Sequence, residues 1–198
     1  MSTANVKSIN GAAAQGTQAG SAQHTQWRID TAASRAEFTI HKRLFFVKHL
    51  DVTGRFPEIS GTISLDEADP AASRAEVTIA TSSVDTQQKR RDTHLRTEAF
   101  FHVEQFPTLA FTSRRIESID AAAGRYKVIG DLTVRGVTKE VQLDATYAPI
   151  ERTKGQPRLR LTLSGPLNRR DFGMVWASPV IKVADDLTVS LAIEATPA

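Results

Sequence analysis

Residues 126–147 read YKVIGDLTVRGVTKEVQLDATY, and their alternation decides the fold. Tyr126, Val128, Gly130, Leu132 and Val134 alternate with Lys127, Asp131 and Thr133. After Arg135-Gly136, Val141, Leu143, Ala145 and Tyr147 alternate with Glu140, Gln142, Asp144 and Thr146. Period-two alternation with one apolar face, broken by a glycine turn, predicts an antiparallel hairpin. The same period recurs outward along the chain. Ala36, Phe38 and Ile40 alternate with Arg35, Glu37 and Thr39; Ala75, Val77 and Ile79 alternate with Glu76 and Thr78. Leu159, Leu161 and Leu163 form another such row, as do Leu187, Val189, Leu191 and Ile193. Asp120–Gly124 and Asp69-Pro70 supply further turns. The spacing predicts about nine strands, and a sheet with so many one-sided strands must close or fold over to bury that face.

Two segments depart from the pattern. Residues 1–26 carry Val6 and Ile9 as their only bulky aliphatics, so a disordered tail is expected there, with order beginning at Trp27 and one domain spanning 27–198. Residues 85–99 lack alternation and are rich in Gln, Lys, Arg and Glu; a short helix capped by Asp85 is expected. Behind it stand Phe100, Phe101, Phe106 and Phe111, four of the nine phenylalanines. Leu44-Phe45-Phe46-Val47 is a second apolar run, flanked by Lys42-Arg43 and Lys48. Runs that do not alternate cannot all face one core, so core packing and the lining of a cavity both remain open for them.

Composition narrows the function classes. A formal net charge of +3 on 198 residues is too weak for a nucleic-acid surface. With no cysteine there is no disulfide, thiolate metal site or thiol nucleophile. His41 and His49, like His94 and His102, stand eight apart, which matches no compact metal motif, and His24 lies in the tail; no metal and no cofactor are expected. No GxSxG turn or phosphate-binding glycine loop is present, and the carboxylate pairs Asp66-Glu67 and Asp185-Asp186 are expected to be solvated turn residues. No stretch reaches the roughly 18 apolar residues of a membrane span, and the N-terminus lacks a signal-peptide pattern, so the expected location is cytoplasmic. The clusters Lys42-Arg43, Lys89-Arg90-Arg91, Arg114-Arg115 and Arg169-Arg170 are either solvated surface or the rim of a cavity that meets a polar or anionic head group.

Six strings, in order, resemble the YceI family of polyisoprenoid-binding proteins: Trp27-Arg28-Ile29-Asp30; Val52-Thr53-Gly54-Arg55-Phe56; Arg91-Asp92-Thr93-His94-Leu95-Arg96 with Phe100-Phe101; 106–113, FPTLAFTS; 130–139, GDLTVRGVTK; and 168–174, NRRDFGM. The resemblance runs from Trp27 to about Glu194. It implies an all-β, lipocalin-like antiparallel barrel of about eight strands with a short helix, and an apolar channel for a polyisoprenoid, an isoprenoid quinone or a similar lipid. Thr25-Gln26-Trp27 lacks the GxW glycine of true lipocalins, so that likeness is one of architecture.

Carried over by position, the channel uses Phe38, Ile40, Phe56, Leu95, Phe100 and Phe101, then Phe111, Leu132, Val134, Phe172, Met174 and Trp176. Its polar end uses His94, Asn168 and Arg169, with Asp92 and Asp171 closing the barrel end or orienting an arginine. No catalysis is implied: the family reading is binding, transport or storage of a long-chain amphiphile. Two alternatives stand beside it. One is an enzyme on a small apolar substrate using His94, Asp92 and Arg169. The other is a stress-response interaction module whose cavity has collapsed. Family members are often periplasmic, and their barrels can pair, so the periplasm and a homodimer are further expectations of the resemblance. The basic, bulky stretch His41–Phe46 is expected to narrow or reshape the channel.

Overall fold

The computed structural model describes residues 24–44, 48–151, 155–179 and 181–198. The expected tail falls mostly outside them, as do Phe45, Phe46 and Val47 of the apolar run. Strand β1 (His24–Ile29) starts three residues ahead of Trp27. There follow β2 (Arg35–Leu44), β3 (Lys48–Phe56), β4 (Ile59–Asp66) and β5 (Arg74–Ala80). Helix α1 (Lys89–Arg96) precedes β6 (Thr108–Asp120), β7 (Arg125–Val134), β8 (Val137–Glu151), β9 (Arg158–Asn168) and β10 (Ile181–Pro197). All pairings are antiparallel, in the order β1-β4-β5-β6-β7-β8-β9-β10, and β10 returns to β1. That ring is a closed barrel of eight staves.

Ten strands make eight staves because two staves are broken. β1 and β2 run in succession along β10, at Trp27–Ile29 against Ala195–Pro197 and then at Arg35–Leu44 against Ile181–Ala192. At the break, the Ser34 hydroxyl donates to the Glu194 carbonyl (3.1 Å) and accepts from the Glu194 N–H (3.0 Å), standing in for the missing ladder. β3 and β4 are likewise one path, interrupted at Pro57-Glu58, with β3 paired to β2. Among the described residues, the outer edge of β3 is met only by a single bridge, Arg55 to Asp85. There the wall is completed by side chains: Arg55 binds Asp85 (2.7 Å), Arg96 donates to the carbonyls of Ser82 and Val84 (2.8 Å each), and Arg91 donates to the Thr86 carbonyl (2.8 Å).

Turn chemistry follows the sequence. β7 and β8 are joined by Arg135-Gly136, both at positive φ (52° and 74°), the mirror-image turn that suits a twisted hairpin. Asp85 does not cap α1 as expected. Its carboxylate accepts from the Gln87 N–H (2.8 Å), the chain reverses at Gln87 (φ 60°), and the helix starts at Lys89 with Gln88 in the cap position and no side-chain cap. The Gln87 N–H and Arg55 both hold the Asp85 carboxyl below its ordinary pKa. Asp66 also departs from expectation: it is buried and accepts from the N–H groups of Ala68 and Asp69, which fixes the turn into β5.

Two glycines let aromatic rings lie on the inner wall. A Cβ at Gly54 would strike its cross-strand partner Phe38, and one at Gly130 would strike the Thr112 carbonyl and the Phe111 ring. Gly130→Ala is therefore expected to cost about 1–3 kcal/mol, as overpacking does, read as a lower denaturant midpoint with an unchanged slope.

Candidate ligand channel

Alternation directs one side chain in two to the barrel axis, and those from the eight staves do not fill it. A cavity of about 780 Å³ runs through the interior, in the upper range of small-molecule pockets, which span about 300–1,000 Å³. It touches Tyr126 and Val128 toward one end of β7 and Leu132 and Val134 toward the other, about 27 Å of strand. Aliphatic side chains such as Val77, Val141, Leu161, Leu163, Val189 and Leu191 make most of the wall.

All twelve apolar residues picked from the sequence lie on this wall: Phe38, Ile40, Phe56, Leu95, Phe100, Phe101, Phe111, Leu132, Val134, Phe172, Met174 and Trp176. The phenylalanines behind α1 do not plug the barrel. Phe100 and Phe101 build its helix end, where Phe56 meets Phe38 and Phe101 at centroid distances of 5.8 and 5.4 Å. His94 also lines the cavity, and its ring stands edge-on to Phe100 (5.1 Å) and Trp176 (5.4 Å). The exposure of Gln88, Arg90 and His94, all on the wall, marks this end as the mouth.

The polar expectations divide. Asn168 is not on the wall; its side chain accepts from the Arg170 N–H (3.0 Å) and donates to Asp186 (2.7 Å), tying the turn Arg169–Phe172 to β10. Arg169 borders the cavity but is 7% exposed, and its guanidinium is taken up by the carbonyls of Met174 and Ala184 and by Asp185 (2.7 Å). Asp92 is buried and accepts from the N–H and hydroxyl of Thr86. His94, Asp92 and Arg169 thus each engage different partners, and no polar contact joins them. Lys42, Arg90 and Arg91 reach the wall at the mouth, whereas Arg114 and Arg115 pair with Asp131 and Glu117. Inward parity with Ile40 marks Lys42 within its cluster, and no pattern in the sequence separates Arg90 from Lys89 and Arg91.

Comparison with known proteins identifies this architecture. The family model for the YceI-like domain matches residues 27–195. The chain belongs to the YceI-like family. Within it, the UPF0312 protein ECA1782 of Pectobacterium atrosepticum is 32% identical over 180 residues, 89% of this chain and 88% of that one. Among solved structures, the YceI protein of Campylobacter jejuni superposes with a TM-score of 0.68 at 31% identity, over 77% of this chain and 90% of that one. A polyisoprenoid binding domain from Saccharophagus degradans superposes with a TM-score of 0.63 over 89% of this chain and all of that one; at 18% identity it attests the shared YceI-like barrel. Among the described residues, no helix is long and apolar enough to cross a membrane, and no group of three or more His, Cys, Asp or Glu side chains is arranged to hold a metal ion.

Proposed function

We propose that this YceI-like barrel binds a long-chain amphiphile, a polyisoprenoid or isoprenoid quinone, and acts as its carrier or store without chemical change. The observation that carries the reading is the continuous apolar cavity of about 780 Å³ along the barrel axis. An empty void of that volume is costly, at about 24 cal/mol per Å³. Its walls give water few hydrogen bonds, which favours a hydrocarbon guest over solvent. Each five-carbon isoprene unit buried contributes about 4 kcal/mol gross. The Saccharophagus degradans domain, named for polyisoprenoid binding, has the same barrel. Lys42, Arg90 and His94 at the mouth suit a head group that is anionic or accepts hydrogen bonds.

The separate partners of Asp92, His94 and Arg169 support a binding role over an acid–base one. The test is organic extraction of freshly purified protein with mass spectrometry, followed by uptake of added prenyl lipids. A long-chain lipid in stoichiometric amount is the expected result. Clean extracts together with no uptake would overturn the reading. Native mass spectrometry of the same sample reads whether the barrel pairs as a homodimer.

A further inference from the structure

The mouth end of the barrel carries more than the polar rim of a pocket. The described residues hold three exposed large hydrophobics, Ile119, Val137 and Val175. Val137 (37% exposed) opens β8 and Val175 (61%) follows the turn Arg169–Phe172, so both stand at the α1 end; Ile119 stands at the other. Arg135 ties the two turns that precede them, donating from the β7–β8 turn to the Gly173 carbonyl (3.2 Å).

The charges of this end are unequally committed. Asp85 is bound to Arg55, Asp185 to Arg169 and Arg170, Asp186 to Asn168, and Asp92 to Thr86. Lys42 and Arg90, at the mouth, have no acidic partner among the described residues, and Lys139 is exposed two residues beyond Val137. Glu98, Glu104 and Asp171 are exposed here too, so charge attracts without saturating and apolar insertion must supply part of the affinity.

We propose that the α1 end docks on an anionic lipid bilayer, with Val137 and Val175 entering the interface and Lys42, Arg90 and Lys139 facing lipid phosphates. This inference rests on the channel reading, because it sets the mouth of the channel against the phase from which an amphiphile is drawn. Each cation near an anionic surface contributes about a fivefold gain in partitioning, and salt screens it.

The test is co-sedimentation of the full chain with phosphatidylglycerol–phosphatidylcholine vesicles and with phosphatidylcholine vesicles. Binding to the first at low salt, at least tenfold weaker binding to the second, and release at about 0.5 M salt are expected. Val137→Asp with Val175→Asp lies off the channel wall. It should weaken vesicle binding at least tenfold while leaving prenyl-lipid uptake from an alcohol stock unchanged. Wild-type protein that stays in the supernatant, binds both vesicles alike or resists salt overturns the docking, as does a double variant that sediments like wild type. Uptake from the alcohol stock separates the two readings: intact uptake without docking removes the docking alone, and absent uptake removes the channel reading.

Discussion

Arg169→Ala is expected to lower stability by about 3–5 kcal/mol, the range for removing one partner of a buried ionic contact. The guanidinium donates to the carbonyls of Met174 and Ala184 and to the Asp185 carboxylate, and it lies 3.4 Å from the carbonyls of Trp176 and Val183. Truncation strands these acceptors in a site that admits little water. It also frees the segment between β9 and β10 that carries Met174 and Trp176 to the channel. Arg169→Lys should recover only part of the loss, since one ammonium group cannot span a planar fork of donors. Chemical denaturation provides the measurement. A variant with the wild-type midpoint and lost lipid affinity would instead make Arg169 a ligand-contacting residue.

Leu163→Trp should abolish most long-chain binding while sparing the fold. Leu163 faces the cavity from β9, paired with Ala145 on β8 and Leu191 on β10. The indole reaches further than the leucine it replaces, and from this inward position it extends into the bore. A block there shortens the usable channel by at least one isoprene unit, about 4 kcal/mol gross. After partial relaxation the affinity for a long prenyl chain should fall at least a hundredfold, about 2.7 kcal/mol. Because the ring enters space already present, the stability change should stay below about 1.5 kcal/mol. Uptake isotherms with prenyl chains of increasing length make the comparison. Unchanged affinity for the longest chain would place the guest outside the barrel.

The inner wall was legible because a β-strand writes it into the sequence with period two. Tyr126, Val128, Leu132 and Val134 face the axis as their alternation predicts, as do Leu161 and Leu163. The aromatic group behind α1 was legible as an excess of rings that no alternation accommodates, and it became the mouth. The polar positions were less so. Arg169 looks in sequence like a head-group ligand, and the groups that consume it are backbone carbonyls five to fifteen residues downstream, which no side-chain pattern announces. Asn168 was misplaced for the same reason: its partners are the Arg170 N–H and Asp186, fixed by how the turn meets β10. The expected nine strands fall between the ten strands and the eight staves, because the breaks at Asp30–Ser34 and Pro57-Glu58 divide two staves, and the tertiary path alone tells a broken stave from two neighbours.

The bare outer edge of β3 bears on how fast a guest comes and goes. Every junction between staves is a ladder over part or all of its length, and a ladder separates only when many backbone bonds break together. Along the β3 half of the β3/β4 stave the outer junction is instead the single Arg55–Asp85 crossing, whose exposed ion pair is weak on its own, and Arg91 and Arg96 brace the segment behind it. Strain from an entering or departing hydrocarbon therefore concentrates at that seam, and the cylinder can gape there transiently while the rest keeps its register. Residence time is then set by the Arg55–Asp85 crossing beside the helix, and affinity by the greasy bore, so the two properties can be altered independently.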